Sequence, residues 1–300
     1  MTTRRDFLKT STALLSVVAA GNSFEFFKSK PLLSFSTLGC PDWSFDKILD
    51  FSVANGYDGI EIRGILRELD LTKCPEFSTK DKINETRKRI EDKKLKIVDL
   101  GSSAAMHHPE GADRQKSMDE GKRFIDLAQQ LNCPNVRVFP NELPKDDKRK
   151  AVIELVINGL HELGEYAKGS NVSVLMESHG DAVKTDELKY IMESVASAHN
   201  GLVWDIVNMW TVTKEQPADV YKQLKKYIRH THIKDADMTA DGKINYVLLG
   251  KGQTPIFDAI DVLNKDGYKG YYSFEWEKMW HPEILEPEIA LADYPKAMKA

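Results

Sequence analysis

The chain has 300 residues, 41% of them hydrophobic and 29% charged, a composition that excludes disorder and membrane spanning and can bury one large core or two ordinary ones. A formal net charge of -4 leaves no surplus of Lys and Arg for a phosphate backbone, so no nucleic-acid partner is expected. Cys40, Cys74 and Cys133 are too few for a disulfide scaffold.

In chain order, residues 1–30 come first, carrying Arg4, Arg5, Lys9, Lys28 and Lys30 against Asp6 and Glu25. The Arg4-Arg5 pair precedes an apolar run from Ser11 to Ala20 that is far too short to cross a bilayer. The segment resembles a twin-arginine export signal. That resemblance implies delivery to the periplasm by the twin-arginine machinery, with cleavage near Val18-Ala19-Ala20 or retention on an uncut anchor. The competing reading is a basic amphipathic helix docked on the fold. Residues 31–300 are taken as the folded domain.

From Leu32 the chain alternates short β-rich runs with longer stretches of helical period, the pattern of a parallel sheet wrapped by helices. Eight strands are predicted: Leu32–Leu38, Gly59–Arg63, Lys96–Leu100, Asn135–Phe139, Val172–Met176, Leu202–Trp204, Ile228–His232 and Tyr271–Phe274. Between the fifth and sixth, Thr185 is placed as the cap of a helix whose Leu188, Ile191, Met192 and Val195 share one face. Pro217 opens a later helix; Thr254-Pro255 opens the next, and Gly267 ends it. The joints Asn55-Gly56-Tyr57-Asp58-Gly59-Ile60 and Asp266-Gly267-Tyr268-Lys269-Gly270-Tyr271 look like one reused βα unit. Eight such units in about 270 residues fit a single-domain (β/α)8 TIM barrel. The rival, a doubly wound open sheet, lacks any Gly-x-Gly-x-x-Gly after a strand, and no Gly-, Ser- or Pro-rich linker divides the chain.

A barrel carries its chemistry where strands end at the C-terminal face. The last four strands run into Glu177-Ser178-His179, Asp205, His232-Ile233-Lys234 and Glu275-Trp276-Glu277. Three carboxylates converging there would resist ionisation unless a cation offset them, so Glu177, Asp205, His232 and Glu275 together suit one divalent ion. Oxygen ligands with one nitrogen favour Mn²⁺, Mg²⁺ or Co²⁺, although Zn²⁺ also accepts such donors. The competing reading is a salt-bridged rim around Lys234 and Arg229. His179, Asn208, Lys234, His108 and Trp276 are the candidate substrate contacts. Each has a plain alternative: a loop cap for His179, an ion pair with Asp235 for Lys234, solvation for the His107-His108 pair, packing under the C-terminal tail for Trp276. Of Glu61 and Arg63 on the second strand, only the one nearer the strand end is expected to face a ligand.

With those four residues in place, residues 31–300 resemble the xylose isomerase-like barrels of the sugar phosphate isomerase/epimerase family. His107-His108-Pro109 through Arg114 to Phe139 is similar to that family's third helix and fourth strand, and Leu249-Gly250-Lys251-Gly252 to its Gly-rich turn before the last helix. The resemblance implies one divalent ion, commonly Mn²⁺, on Glu177, Asp205, His232 and Glu275, with Glu177 and Glu275 doubling as acid and base. The family's ketose epimerases carry a further Glu, Arg and His where this chain has Val183, Met238 and Asn208, so the metal site is kept while the sugar-binding shell is not. A metal that chelates a sugar carbonyl and its neighbouring hydroxyl acidifies the C–H between them and stabilises the enediolate. Isomerisation or epimerisation of a keto-sugar is therefore the expected activity. A lyase or dehydratase acting on an oxidised (3-keto) sugar or glycoside is the alternative, and a non-catalytic sugar-binding protein the second alternative. Oligomeric state is not legible.

Overall fold

The computed structural model describes residues 30–239 and 242–299; the expected export signal lies outside the described residues. Among the described residues ten strands are present: β1 (Leu32–Ser36), β2 (Gly59–Ile62), β3 (Lys96–Ala105), β4 (Asn135–Phe139), β5 (Ser173–Glu177), β6 (Asn200–Asp205), β7 (Ile228–Ile233), β8 (Asp235–Met238), β9 (Ile244–Val247) and β10 (Tyr271–Phe274). Eight of them close a barrel in the order β1-β10-β7-β6-β5-β4-β3-β2, every pairing parallel. The expected eight-stranded barrel is therefore what the chain forms. The helices are α1 (Phe45–Ala54), α2 (Lys80–Asp92), α3 (Ala112–Leu131), α4 (Arg149–Tyr166), α5 (Thr185–Val195), α6 (Ile206–Thr213), α7 (Pro217–Leu224), α8 (Ile256–Asp266) and α9 (Pro287–Ala297).

Local chemistry explains most element ends. Ser44 and Thr79 each accept a backbone N–H three residues on, capping α1 and α2. Gly56 and Gly267, at the two look-alike joints, have φ of +74° and +76°, a region only glycine enters without cost, and so turn each helix into its strand. Pro217 is the first residue of α7, where its missing N–H costs nothing. Pro255, by contrast, sits at the cap position just before α8. Thr185 is the first residue of α5 rather than its cap; Lys184 holds that position and makes no side-chain cap. The face made by Leu188, Ile191, Met192 and Val195 is buried as its spacing requires.

Two features depart from the expected strands. β3 runs on to Ala105, because Gly101-Ser102-Ser103, which reads as a turn, stays extended beside β4 with a shift of register. The antiparallel pair β8 and β9 follows directly on β7 and so stands on the C-terminal face. Its base is tied by Asp235, whose Oδ2 accepts the N–H groups of Gly250 and Gly252, each at 2.9 Å.

The strands alternate between the barrel interior and the helix layer. Outward, Phe274 stacks on Tyr294 of α9 with centroids 4.6 Å apart, and Phe35 meets Tyr57 at 4.7 Å. Inward, Glu61, His230, His232 and Ser273 meet one another in a polar interior. The three cysteines are buried free thiols. Among the described residues no helix is long and apolar enough to cross a membrane.

Candidate functional site

Glu177 ends β5, Asp205 ends β6, His232 lies one residue before the end of β7, and Glu275 follows β10. Strands β10, β7, β6 and β5 are consecutive neighbours in the barrel, and Asp205 pairs in register with His232, so the four residues come together on one arc of the rim. Each offers a ligand atom, and the four atoms lie within 4.8 Å of one another. His232 Nδ1 is 3.5 Å from Glu177 Oε1, 3.6 Å from Asp205 Oδ2 and 3.3 Å from Glu275 Oε2. All four side chains are buried.

Neighbouring groups hold the ligand atoms in place. Asp205 Oδ1 caps α6 by accepting the Asn208 N–H at 2.8 Å, which leaves Oδ2 turned toward His232. The Asn208 amide donates to Glu177 Oε1 at 3.4 Å and to the Ser178 carbonyl at 3.3 Å, so Asn208 props a ligand rather than facing substrate. On the other side of the imidazole, His232 Nε2 lies 3.1 Å from Glu61 Oε2, which also meets His230 Nε2 at 2.9 Å and accepts the Ser273 hydroxyl at 3.1 Å. A proton on Nε2 held by Glu61 leaves Nδ1 as a lone-pair donor aimed at the three carboxylates, the arrangement by which outer carboxylates orient metal-binding histidines.

The electrostatics are those of a cation site. Burial alone would lower the His232 pKa, but Glu275, Glu61 and Glu177 outweigh it and hold the imidazolium well above the usual histidine range. Burial would likewise raise Glu177 and Glu275, yet His232 leads the charges that bring both below the usual carboxylate range. Lys234 is buried with Nζ 2.8 Å from Asp205 Oδ2, 2.6 Å from Glu275 Oε2 and 2.6 Å from Glu277 Oε1. The rim is thus both a ligand set and an ion-pair network, and the partner of Lys234 is not Asp235. Even so, Glu177 Oε2, Asp205 Oδ2 and His232 Nδ1 are buried without a hydrogen bond of acceptable direction, although Arg137 Nε is 3.1 Å from the first and Lys234 Nζ 2.8 Å from the second. Polar atoms orphaned from three of four converging ligands fit a divalent ion.

Beside the four ligands opens a cavity of about 230 Å³ lined by Leu38, Arg63, Arg137, Phe139, Asn141, Glu177, His179, Glu275, Glu277 and Trp280. His179 reaches it, its Nδ1 3.1 Å from Asn141 Oδ1 and its ring 4.6 Å from that of Phe139. The other four proposed contacts do not line it: Asn208 props Glu177, Lys234 is buried among Asp205, Glu275 and Glu277, and Trp276 and His108 lie elsewhere. Trp276 is fully buried facing the helix layer, stacked on Phe274 and donating Nε1–H to the Leu285 carbonyl at 2.9 Å. The cause is strand alternation: with Glu275 inward, Trp276 must point out. His108 stacks on His107 at 4.1 Å in the turn after β3 and does not line the cavity.

Three more residues gather at the site: Arg63, the strand-end residue expected to face a ligand, and Glu277 and Arg137, which were not among the candidate contacts. Glu277 shares Lys234 with Glu275, and burial raises its carboxyl. Arg63, the residue nearer the end of β2, lines the cavity, and burial followed by repulsion from Arg137 lowers its guanidinium to about 9. Arg137 is buried on β4, its guanidinium 3.8 Å over the Phe139 ring. Asp99 on β3 is buried with neither carboxylate oxygen hydrogen-bonded, and burial together with Glu61 raises it well above the usual range.

Comparison with known proteins agrees with this architecture. A family model described as xylose isomerase-like TIM barrel matches residues 49–297. An inosose isomerase of Halalkalibacterium halodurans is 26% identical over 254 residues, covering 80% of this chain and 84% of that protein. A 3-dehydroshikimate dehydratase of Bacillus anthracis is 26% identical over 264 residues, covering 82% and 90%. Among solved structures, the IolI protein with a bound zinc atom superposes with a TM-score of 0.74 at 18% identity, over 88% of this chain and 95% of that one. The 3-keto-D-glucoside 4-epimerase of E. coli gives a TM-score of 0.66 at 15% identity, over 90% and 97%.

Proposed function

This chain belongs to the xylose isomerase-like TIM barrel family, and from that premise we propose that it is a divalent-metal-dependent isomerase or epimerase of a small keto-sugar or cyclic keto-polyol, working through an enediolate. The observation that carries the reading is the meeting of Glu177, Asp205, His232 and Glu275 within 4.8 Å, at the wall of a cavity that two of them also line. A cavity of about 230 Å³ is smaller than the roughly 300–1,000 Å³ of ordinary ligand pockets, which suits a single ring better than a disaccharide.

An ion held by Glu177, Asp205, His232 and Glu275 would supply Lewis acidity. The residues supply the rest. Glu177 and Glu275 approach His232 Nδ1 from two different strands, so a carbon held between them is flanked by carboxylates. One takes the proton from carbon and the other returns it, with inversion or at the adjacent carbon. Lys234, between Asp205, Glu275 and Glu277, adds to the charges that lower the Glu275 carboxyl and offers an N–H to a developing oxyanion. His179 and Asn141 present hydroxyl partners across the cavity.

Elimination is the second reading, favoured by the relation to a dehydratase, because the same enediolate can expel a β-substituent. Metal-loaded protein in D₂O with a panel of keto-sugars and keto-polyols separates the two by NMR: deuterium exchange with inversion or carbonyl migration for the first, an alkene product for the second. Glu177→Gln and Glu275→Gln should each lower that turnover by roughly a hundredfold or more, as expected when proton transfer is lost. Full turnover in either variant with metal still bound would remove that residue from the acid/base role.

A further inference from the structure

We propose that Arg63 and Arg137 form an anion clamp that holds a carboxylate of the substrate, so that the compound processed is an acidic keto-polyol rather than a neutral sugar. This rests on the cavity of the proposed function and assigns the part of its wall formed by β2 and β4.

The two guanidinium groups flank Gly101. A Cβ there would meet Arg63 Cδ at 2.8 Å and Arg137 Nη2 at 3.0 Å, so a residue without a side chain is what lets two arginines lie side by side between β2, β3 and β4. Arg63 donates to the Gly101 carbonyl at 3.3 Å and to Ser103 Oγ at 2.9 Å, and Arg137 Nη1 to the Ser102 carbonyl at 2.7 Å. These bonds fix the pair in place yet use only a minority of the five N–H groups each guanidinium carries. Both residues line the cavity.

Charge balance calls for an anion here. Two buried cations side by side are unfavourable unless matched. At the other side of the cavity Lys234 is matched by three carboxylates within 2.8 Å. Among the described residues Arg63 has no carboxylate within 4 Å, and Arg137 has only Glu177, at 3.1 Å. Glu177 is also a member of the ligand set, so a bound ion draws on the same charge and leaves the pair short of one. Paired guanidinium groups match the fork of a carboxylate. Phe139 beneath Arg137, with Leu38 and Trp280 on the same cavity, offers apolar surface to a carbon ring.

Calorimetry on the metal-loaded full chain tests this with shikimate and its methyl ester, which share one ring and differ in charge. Shikimate should bind at least tenfold more tightly than the ester, and the ratio should fall toward one in Arg63→Gln and in Arg137→Gln at unchanged metal content. Arg63→Lys, which keeps the charge and loses the fork, should recover part of it. Equal affinities in the wild type, or no binding of either compound, would overturn the clamp, and that comparison needs no variant to fold. A preference that survives Arg63→Gln combined with Arg137→Gln would overturn it as well, by placing the anion on the metal or Lys234. If instead the arginines serve only the transient enediolate, wild-type affinities are equal while Arg63→Gln slows deuterium exchange of a neutral keto-sugar. An acid preference lost in the variants, in a protein that exchanges deuterium into no keto compound, would support the clamp while removing the proposed reaction.

Discussion

At the scale of single residues, three of the four candidate ligands are distinguished by what they lack. Glu177 Oε2, Asp205 Oδ2 and His232 Nδ1 are buried without a well-directed hydrogen bond, as suits atoms that a cation would bind. Asp205→Ala or His232→Ala should remove most of the divalent ion that copurifies with the chain, measured by elemental mass spectrometry; unchanged content in both would dismiss the site. His232 also sets a pH dependence. Its folded-state pKa is raised well above 6.5, so the stability gained from the imidazolium is fully present below about pH 6.5 and is lost as pH climbs through the folded value. An ion at Nδ1 must displace that proton, so metal affinity should rise by about tenfold per pH unit below the folded value. Chelator competition at several pH values checks this, and a flat profile would exclude His232 as a ligand. The four candidate ligands were legible in the sequence because each is an ionisable residue at or beside the end of a strand. Arg137 and Glu277 were not chosen, though period-two alternation carries the signal: Glu277 shares a face with Glu275, as His230 does with His232. Trp276 was misjudged by ignoring the same rule.

At the scale of elements, the eight barrel strands and most helices follow from periodicity and punctuation, and the misses have specific causes. The expected third strand stops at Leu100, whereas the strand continues through Gly101, which serves as the gap that admits two arginines. The β8–β9 pair was absent from the expected elements because Asp235–Met238 and Ile244–Val247 are four residues each and mixed in polarity, too short for a pattern to emerge. That pair stands beside the cavity, with Tyr246 5.5 Å from Lys234 Nζ and 5.0 Å from the His281 ring. Its anchor is Asp235, which accepts the N–H groups of Ala236, Gly250 and Gly252. Asp235→Ala removes about 1.5–3 kcal/mol per bond to a charged acceptor before local relaxation. It should accelerate amide exchange through residues 248–254 and lower turnover several-fold while metal content holds. Unchanged exchange would show that the turn does not depend on the carboxylate.

At the scale of the whole molecule, the proposed reading links metal and fold, because the closed barrel brings the four candidate ligands within 4.8 Å. An ion present at a hundredfold over its dissociation constant stabilises the native state by about 2.7 kcal/mol. For a domain of this size that is roughly 5 °C in melting temperature. Adding a chelator should lower the calorimetric midpoint by that order in the wild type and hardly at all in His232→Ala; equal losses in both would locate the ion elsewhere. The single-domain barrel was legible as a count of βα units, since each unit is short and separately punctuated. The distribution of charge inside the barrel was not, because it depends on which strands become neighbours. The order of those strands has one more consequence, for biosynthesis. The ribosome delivers both arginines with the first half-barrel and the ligands strictly in the order Glu177, Asp205, His232, Glu275, the last just after the strand that seals the seam against β1. A nascent chain stalled before residue 271 therefore carries three donors and an open edge, and the fourth donor arrives only at closure, so on the proposed reading tight metal capture becomes a chemical record that the cylinder has shut.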